Sequence, residues 1–283
     1  MSLAPEEHIV LAPKERRDAV VEVIRSARER LSLSLFRCDD DAVVEALAEA
    51  VRRRVRVRTL LTQRAKGSKR PLKKLRRSLT RLGAEVRRYA DPVVKYHAKY
   101  IVADDGPALI ASLNFTRKCF EDTCDFMLVT RDTELVASLM QLFDADWCTP
   151  PSRVPDLRSD RLIVGPEQAR PRFTALLQQA HRSIRLIDSK LRDPAILALL
   201  KAKEAAGVAV ELRDREALGS LVPHGKLLIV DDVTAVIGSI SLSTLALEFR
   251  REAAVVVSDG NGLQRLRNFW DSLSSISPEE SVS

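Results

Sequence analysis

The sequence predicts an α/β protein built from two copies of one unit. Short apolar runs of strand length alternate with longer segments of helical apolar periodicity, which is typical of α/β folds. Several of these segments recur in the same order 153 residues later, and a polar pattern around His-x-Lys recurs 127 residues later. We therefore expect two domains with a common order of strands and helices.

The repeated elements are a strand, a helix and a second strand. In the first copy they are Leu31–Leu35, Ala42–Val51 and Val55–Val57, and in the second copy Ile184–Asp188, Ala195–Glu204 and Val208–Val210. Two further apolar runs, Tyr100–Ala103 and Leu227–Val230, follow the His-x-Lys pattern in each copy. Near-continuous apolar runs are typical of strands buried on both faces, so we expect both runs in the middle of a sheet.

Each copy closes with a helix that ends in aromatic residues. The two helical patterns cover Val136–Trp147 and Leu263–Leu273, and three prolines between positions 150 and 155 separate the copies. Prolines at this density mark a linker. We therefore predict a first domain at residues 1–154 and a second at 155–283, with a frayed polar end after Ser277.

The first copy contains an insertion that the second lacks. The offset between the copies falls from 153 to 127 between the early strands and the His-x-Lys pattern, which leaves 26 additional residues within 62–92. There a leucine stripe predicts an amphipathic helix that begins just after Pro71 and ends at Gly83. A strand at Glu85–Tyr89 follows it.

The insertion lies within a strongly basic segment, residues 52–88. It holds sixteen lysines and arginines against the single acidic residue Glu85, so it carries +15 in a chain of net charge +7, and the remainder is negative. A localised positive segment favours a polyanionic partner, either nucleic acid or an anionic phospholipid surface. A solvated helix face without a partner is the alternative.

The polar pattern around His-x-Lys is long and is matched position by position. The first copy has His97, Lys99, Asp104, Ser112, Asn114 and Asp125, and the second has His224, Lys226, Asp231, Ser239, Ser241 and Glu252. The chain has four histidines, and two of them occupy equivalent positions in this pattern. A duplication of one functional site explains this better than chance.

These residue types suit chemistry at phosphorus. An imidazole titrates near neutrality, so it can act as a nucleophile or protonate a leaving oxygen. Alternate residues of a strand point the same way, so we expect Lys99 beside His97 and Lys226 beside His224, each with a charge for phosphate oxygens. Asn114, Ser112, Ser239 and Ser241 are candidate hydrogen-bond donors to the same oxygens. We predict that no metal is needed.

The pattern resembles the HKD motif of the phospholipase D superfamily, H-x-K-x4-D-x6-G-S-x-N, in two copies as in its single-chain members. The resemblance covers most of the chain, with Ala111 in place of the motif's Gly and Ser241 in place of its second Asn. It implies two tandem domains related by pseudo-twofold symmetry, each a β-sheet flanked by helices. It also implies one active site, where the two motifs meet.

The same resemblance implies a role for each motif residue. One imidazole forms a phosphohistidine and the other protonates the leaving alcohol. By analogy with many members, His97 is the nucleophile and His224 the acid. Lys99 and Lys226 clamp the phosphate with help from Asn114, and Asp104 and Asp231 are structural. Asp125 and Glu252 match a later acidic position, from which a carboxylate can orient an imidazole.

We expect a metal-independent phosphodiesterase that uses no cofactor. Asn114-Phe115-Thr116 resembles the N-F-T of small bacterial nucleases in the superfamily, whereas residues 114–118 do not match the N-x-D-x-R-S typical of cardiolipin synthases. This favours a nuclease. A phospholipase D or phosphatidyltransferase acting on phospholipid head groups is the first alternative, and a polyanion-binding module without turnover is the second.

The remaining features predict the setting of the protein. No apolar run approaches the roughly 20 residues of a membrane-spanning helix, and residues 1–13 lack the apolar core of a signal peptide. We therefore expect a cytoplasmic protein with reduced cysteines that serve packing, because the four cysteines lack the spacing of a zinc site. Both motifs are present in one chain, so no protein partner is required to complete the site.

Overall fold

The computed structural model describes residues 7–63, 69–151, 154–213, 218–258 and 260–274. Three parts of the sequence-based predictions fall outside these residues. They are Arg64 and Lys66 of the basic segment, Ser152 and Arg153 of the linker, and the polar end after Ser277. Within the described residues, strands and helices alternate as the sequence predicts.

The helices are α1 (Pro13–Ser26), α2 (Asp41–Arg52), α3 (Lys69–Leu82), α4 (Arg117–Glu121), α5 (Thr133–Trp147), α6 (Ala169–Gln178), α7 (Pro194–Ala205), α8 (Thr244–Phe249) and α9 (Gly260–Ser274). The strands of the first half are β1 (Glu7–Val10), β2 (Arg30–Leu35), β3 (Arg56–Thr62), β4 (Glu85–Tyr89), β5 (Lys95–Tyr96), β6 (Tyr100–Ala103), β7 (Ala108–Ala111), β8 (Thr123–Cys124) and β9 (Met127–Thr130). Those of the second half are β10 (Leu162–Gly165), β11 (Ser183–Ile187), β12 (Ala209–Leu212), β13 (Val222–Pro223), β14 (Leu227–Val230), β15 (Thr234–Gly238) and β16 (Arg250–Val257).

Two sheets repeat one topology. Among the described residues the first sheet has the strand order β1-β9-β7-β6-β2-β3-β4 and the second β10-β16-β15-β14-β11-β12. In both, antiparallel pairing runs through the first five strands, and the strand after the α2 or α7 helix adds in parallel. The predicted fold class, two tandem α/β units related by pseudo-twofold symmetry, is confirmed. The domain limits at 154 and 155 stay a prediction.

The repeated helix begins at the same kind of cap in both halves. Asp40 accepts hydrogen bonds from the backbone N–H groups of Ala42 and Val43 at the start of α2. Asp193 accepts one from Ile196 at the start of α7. A carboxylate at this position satisfies N–H groups that have no partner within the helix and favours the positive end of its dipole.

The insertion adds one helix and one strand to the edge of the first sheet. These are α3 and β4, for which the second sheet has no counterpart among its described strands. Leu75 and Leu79 of α3 are buried, as the leucine stripe predicts. The predicted start of the helix was wrong: α3 begins at Lys69, two residues before Pro71. Proline is tolerated there because the first turn of a helix needs no backbone donor.

Three apolar cores organise the part of the molecule that the structure describes. One lies in the first half and one in the second, between each sheet and its outer helices. The third is shared, because side chains from both sheets, such as Ile110 and Ile237, pack together with Trp270 of α9. No helix in the described part of the chain has both the length and the apolar character needed to span a bilayer.

Short strand pairs also join the halves directly. β5 pairs in parallel with the start of β16, and β8 pairs in parallel with β13. The two pairings are related by the pseudo-symmetry: the segment just before each motif histidine lies against the segment just before the acidic residue of the other half. The backbone therefore brings His97 next to Glu252 and His224 next to Asp125.

Candidate active site

The second-half imidazole is held by the first-half carboxylate. Nδ1 of His224 lies 2.9 and 3.0 Å from the two carboxylate oxygens of Asp125, which is fully buried at the β8 end. Two hydroxyls donate to the same carboxylate: Ser112 at 2.5 Å and Thr123 at 2.5 Å. With Nδ1 engaged, the other ring nitrogen of His224 remains available for a substrate.

The first-half imidazole lies against the second-half carboxylate in a less complete arrangement. Nδ1 of His97 is 2.6 Å from Oε1 of Glu252, whose side chain has no exposed surface. Neither carboxylate oxygen of Glu252 has a well-aligned hydrogen-bond partner among the described residues. Phe36 contacts the His97 ring edge-on at 4.6 Å between ring centroids and restricts its orientation. The two imidazole–carboxylate pairs are therefore similar in position and different in hydrogen bonding.

Both motif lysines are buried beside their histidines. Nζ of Lys99 donates to the His97 carbonyl oxygen at 2.7 Å and lies 3.1 Å from Nδ1 of the ring. Nζ of Lys226 donates to the His224 carbonyl oxygen at 2.5 Å. The tripeptides lie just before β6 and β14 and not inside these strands, so the predicted strand position was wrong. The Lys99 amino group does lie beside the His97 ring, as expected.

In the first pair, His97–Glu252, burial is the main cause of the shifts in pKa. It lowers the pKa of His97 well below its ordinary range, and the nearby charges of Lys99 and Arg250 act in the same direction. Burial also raises the pKa of Glu252 to about 7, against the attraction of the Lys99 charge, and lowers the pKa of Lys99 to about 7. His97 is therefore a neutral imidazole at physiological pH.

In the second pair, His224–Asp125, the carboxylate stays ionised. Burial alone would raise the pKa of Asp125, but hydrogen bonds from His224, Ser112 and Thr123 outweigh it, and the pKa falls below its ordinary value. Burial lowers the pKa of His224, and the Asp125 carboxylate opposes that shift. An ionised carboxylate at Nδ1 stabilises the imidazolium form, so His224 is the better proton donor of the two.

The serine hydroxyls predicted to bind phosphate have hydrogen-bond partners within the protein. Ser112 donates to Asp125, Ser239 donates to the Ala253 carbonyl oxygen at 3.3 Å, and Ser241 shares a hydrogen bond with Ser243 at 3.0 Å. Each of these serines therefore has a partner within the protein, and their contact with phosphate stays a prediction. Asn114 differs, since its buried side-chain oxygen has no partner among the described residues.

Asp104 and Asp231 tie each sheet together at a distance from the imidazoles. Asp104 accepts hydrogen bonds from the backbone N–H groups of residues 28, 29 and 30, and Asp231 from those of 181, 182 and 183. Both have a positive φ, 49° and 53°, in the turn that follows β6 or β14. The geometry fits the structural role that the motif implies for both residues.

Besides Phe36, further residues around the site were missed by the sequence analysis. Thr123 donates to Asp125, and the position 127 residues later holds Arg250, whose guanidinium lies 3.6 Å from Glu252. The offset between the copies could have identified this exchange of hydroxyl for cation. Arg16 donates to the backbone oxygens of residues 11, 119, 123 and 125 from full burial. Nothing in its sequence position signals that contact.

One group of side chains in the described part of the chain has ligand atoms close enough to share a metal ion. It consists of Cys119, Asp125 and His224, whose ligand atoms lie within 4.8 Å of one another. The four cysteines form no disulfide, and Cys148 is the one that is exposed. Two of the three members of the group belong to the second imidazole–carboxylate pair.

The fold and the site define a two-unit α/β protein with one composite His–Lys centre. Residues 20–147 match the family model described as cardiolipin synthase, PLD-like domain. No curated protein sequence matches the chain significantly. The matched residues include the first motif, so the match supports the resemblance of this chain to the phospholipase D superfamily.

Solved structures share the fold at low sequence identity. Polyphosphate kinase from Porphyromonas gingivalis aligns over 95% of this chain and 46% of its own, at 20% identity and a TM-score of 0.75. Phosphatidylserine synthase from Haemophilus influenzae Rd KW20 aligns over 94% of this chain and 85% of its own, at 12% identity and a TM-score of 0.69. The chain thus spans less than half the length of the polyphosphate kinase. Both likenesses extend across the two halves.

Proposed function

We propose that the protein is a phosphodiesterase that works through a phosphohistidine and needs no metal. The observation that carries this proposal is the exchange of partners between the halves, in which His97 meets Glu252 and His224 meets Asp125. Each half supplies one imidazole and the carboxylate for the other. A centre of this kind has a nucleophile, an acid and two lysine amino groups that can bind the oxygens of one phosphate group.

In the proposed first step, Nε2 of His97, which lies 3.3 Å from Nζ of Lys99 and points away from Glu252, attacks phosphorus. The bond from phosphorus to the leaving oxygen breaks as His224 gives that oxygen its proton. The neutral state of His97 and the ionised carboxylate beside His224 support this assignment of roles. Lys99 and Lys226 stabilise the charge that develops on the non-bridging oxygens.

In the proposed second step, His224 takes a proton from water, or from an alcohol, as that oxygen attacks the phosphorus of the phosphohistidine. The phosphorus–nitrogen bond breaks and His97 returns to its neutral form. Water gives hydrolysis and an alcohol gives transfer. The same residues serve both outcomes, so the choice depends on which acceptor the site admits.

We favour nucleic acid as the substrate because of α3. Six of its cations are exposed and have no acidic partner among the described residues: Arg70, Lys73, Lys74, Arg76, Arg77 and Arg81. By contrast, Arg52 and Arg56 of the same basic segment pair with Glu45 and Glu85. A row of unpaired cations on one helix suits a chain of phosphates, since each neutralised phosphate releases bound counterions.

Phosphatidyl transfer is the second candidate. It is favoured by the matching family model, which carries the name of cardiolipin synthase, and by the similarity in fold to a phosphatidylserine synthase. The basic helix suits this reading too, because polybasic segments bind anionic membrane surfaces. A polyanion-binding module without turnover is the third.

The test is a substrate panel with matched variants. Single-stranded and duplex DNA, RNA, and vesicles of phosphatidylcholine and phosphatidylglycerol are incubated with the protein, with and without a chelator. We expect cleavage of nucleic acid that survives chelation and is abolished in His97→Ala and His224→Ala. His181→Ala is the control, because its side chain is exposed and outside the motif. Full activity in either motif variant, or loss of activity on chelation, would refute the proposal.

A further inference from the structure

A thiol lies beside the second imidazole–carboxylate pair. Sγ of Cys119, a carboxylate oxygen of Asp125 and a ring nitrogen of His224 all lie within 4.8 Å of one another. Thiolate, carboxylate and imidazole are the donors that Zn²⁺ takes in proteins, and three of them fill three of its four tetrahedral positions. The fourth position is then open to water or to a phosphate oxygen.

The backbone around Cys119 is firmly held. Thr116 caps α4 and accepts a hydrogen bond from the Cys119 N–H at 3.3 Å. The Cys119 carbonyl oxygen accepts a hydrogen bond from the guanidinium of Arg16 at 3.1 Å, and the same guanidinium donates to the Asp125 carbonyl oxygen at 3.1 Å. Thr123 donates its hydroxyl proton to the Asp125 carboxylate. The backbones of Cys119 and Asp125 are therefore held near each other by a shared donor, which lowers the cost of assembling a site.

The first imidazole has no such thiol. In the second half, Ser243 caps α8 and accepts from the Ala246 N–H, as Thr116 does from Cys119 in α4. Ala246 therefore occupies the position that Cys119 has in the first half. The pair His97–Glu252 offers two ligand atoms, whereas His224–Asp125 together with Cys119 offers three. The two halves of the molecule can therefore be compared to find what the sulfur contributes.

We propose that Cys119, Asp125 and His224 form an inhibitory binding site for Zn²⁺ or another thiophilic divalent ion. On binding, the thiol releases its proton to water, and His224 ligates as neutral imidazole. This inference rests on the proposed function, since the ion occupies the imidazole and carboxylate that protonate the leaving group. Turnover stops while the ion is bound.

Charge and ligand type make the site selective. The dication with a thiolate and a carboxylate is neutral, which suits a centre that already holds the charges of Lys99 and Lys226. Mg²⁺ requires near-octahedral oxygen ligands and does not take thiolate. The site should therefore discriminate Zn²⁺ from Mg²⁺, although both are present in cells.

Cobalt titration of the full chain tests the site without any need for turnover. Co²⁺ substitutes for Zn²⁺ and gives a sulfur-to-cobalt absorption band when a thiolate binds it. We expect one equivalent per chain, displaced by Zn²⁺, retained in Cys148→Ala and absent in Cys119→Ala. Cys119→Ser serves as a second variant should the alanine change lower stability. A protein without the band, or with an unchanged band in both Cys119 variants, would overturn the site.

A second experiment tests whether metal binding at this site inhibits turnover. With the best substrate of the panel, Zn²⁺ should inhibit the wild type reversibly and a chelator should restore the rate, whereas Mg²⁺ has no effect. In Cys119→Ala we expect the metal-free rate to stay within twofold and the inhibitory Zn²⁺ concentration to rise at least tenfold. Equal sensitivity of wild type and variant would overturn the inhibitory role. A chain that binds cobalt through Cys119 but cleaves nothing would refute the proposed function and not the metal site.

Discussion

At the scale of single residues, the two imidazole–carboxylate pairs divide the work through their surroundings. Asp125 has hydroxyl donors and remains ionised, whereas Glu252 faces Arg250 and has its pKa raised to about 7 by burial. A carboxylate that stays charged supports an imidazolium, and one that is easily protonated does not. In the proposed mechanism, the difference between the acid and the nucleophile is therefore set by neighbouring residues such as Thr123 and Arg250.

The pH dependence of Asp125→Asn tests this division. Because the Asp125 carboxylate raises the pKa of His224 against burial, its removal should lower that pKa. The basic limb of the kcat/KM profile should then move to lower pH, and the rate should fall at least about tenfold, within the range for general acid catalysis. Asp122→Asn, an exposed carboxylate three residues away, is the control. An unshifted basic limb would remove His224 from the role of acid.

Arg16 and Arg17 offer a matched test of stability. Arg16 is fully buried and donates to four backbone oxygens, whereas Arg17 is partly exposed and pairs with Asp40 and Glu121. Arg16→Met should lower the free energy of unfolding by about 3 kcal/mol, because it leaves buried acceptors unpaired. Arg17→Met should cost less, about 1 kcal/mol, because the guanidinium is partly exposed to solvent and the buried Asp40 keeps its two backbone donors. Denaturant unfolding of both variants measures the difference, and equal losses would contradict this account.

At the scale of elements, the insertion is an addition to the edge of the first sheet, and the proposed function gives it the binding of substrate. Its helix packs through Leu75 and Leu79 and exposes its cations, while the sheets that carry the imidazoles exist in both halves without it. Substrate preference can thus depend on α3 while the chemistry depends on the paired segments.

Removal of the exposed cations of α3 should separate binding from chemistry. We expect the fourfold variant Lys73→Ala, Lys74→Ala, Arg76→Ala, Arg77→Ala to raise KM for long nucleic acid and to flatten the dependence of binding on salt. Turnover of a small diester should stay unchanged, since the helix does not contact the imidazoles. Lys201→Ala with Arg265→Ala, exposed cations of the second half, is the control. A fall in small-diester turnover would show that α3 has a different role.

The turns after β6 and β14 make a second prediction at this scale. Although burial alone would raise the pKa of Asp231, three backbone N–H groups lower it below its ordinary value of 3.8. A carboxyl with a depressed pKa stabilises the fold above that value, and the contribution is lost as pH falls through the folded-state pKa. Asp231→Asn should therefore cost about 1–3 kcal/mol at neutral pH, and the deficit should narrow below pH 3.8.

Urea unfolding of the wild type and Asp231→Asn across this pH range provides the measurement. Asp156→Asn, an exposed carboxyl in the segment between the halves, should track the wild type throughout. A deficit of Asp231→Asn that stays constant down to acid pH would mean that the carboxylate charge does not carry the stabilisation. Both variants should keep the catalytic activity of the wild type, because Asp231 does not contact the imidazoles.

At the scale of the whole molecule, the site exists because the halves share a core and exchange short strands. β5 lies on β16 and β8 on β13, and Arg161 of the second half pairs with Glu7 and Asp132 of the first. Each imidazole depends on a carboxylate from the opposite half. A change that loosens this interface should therefore affect both pairs together.

Spacing alone predicted the motif residues and the order of elements, because a duplicated chain repeats its offsets. Spacing did not predict that His97 would meet Glu252 and His224 meet Asp125, since that exchange depends on how the two sheets pack. The same holds for the serines: a hydroxyl donates to whichever acceptor packing brings closest, and for Ser112 this is Asp125. Arg16 was missed for a similar reason, because backbone acceptors leave no pattern in the sequence.

The most direct test of a shared phosphorus atom is mass spectrometry of the covalent adduct after rapid acid-free quench. A diester with a good leaving group, such as a nitrophenyl ester, needs no acid in the first step, so His224→Ala should trap the adduct. The account predicts one adduct per chain on His97 in that variant, with the mass of the diester minus its leaving alcohol, and none in His97→Ala. An adduct on His224 in the His97→Ala variant, or turnover with no adduct on either residue, would contradict it.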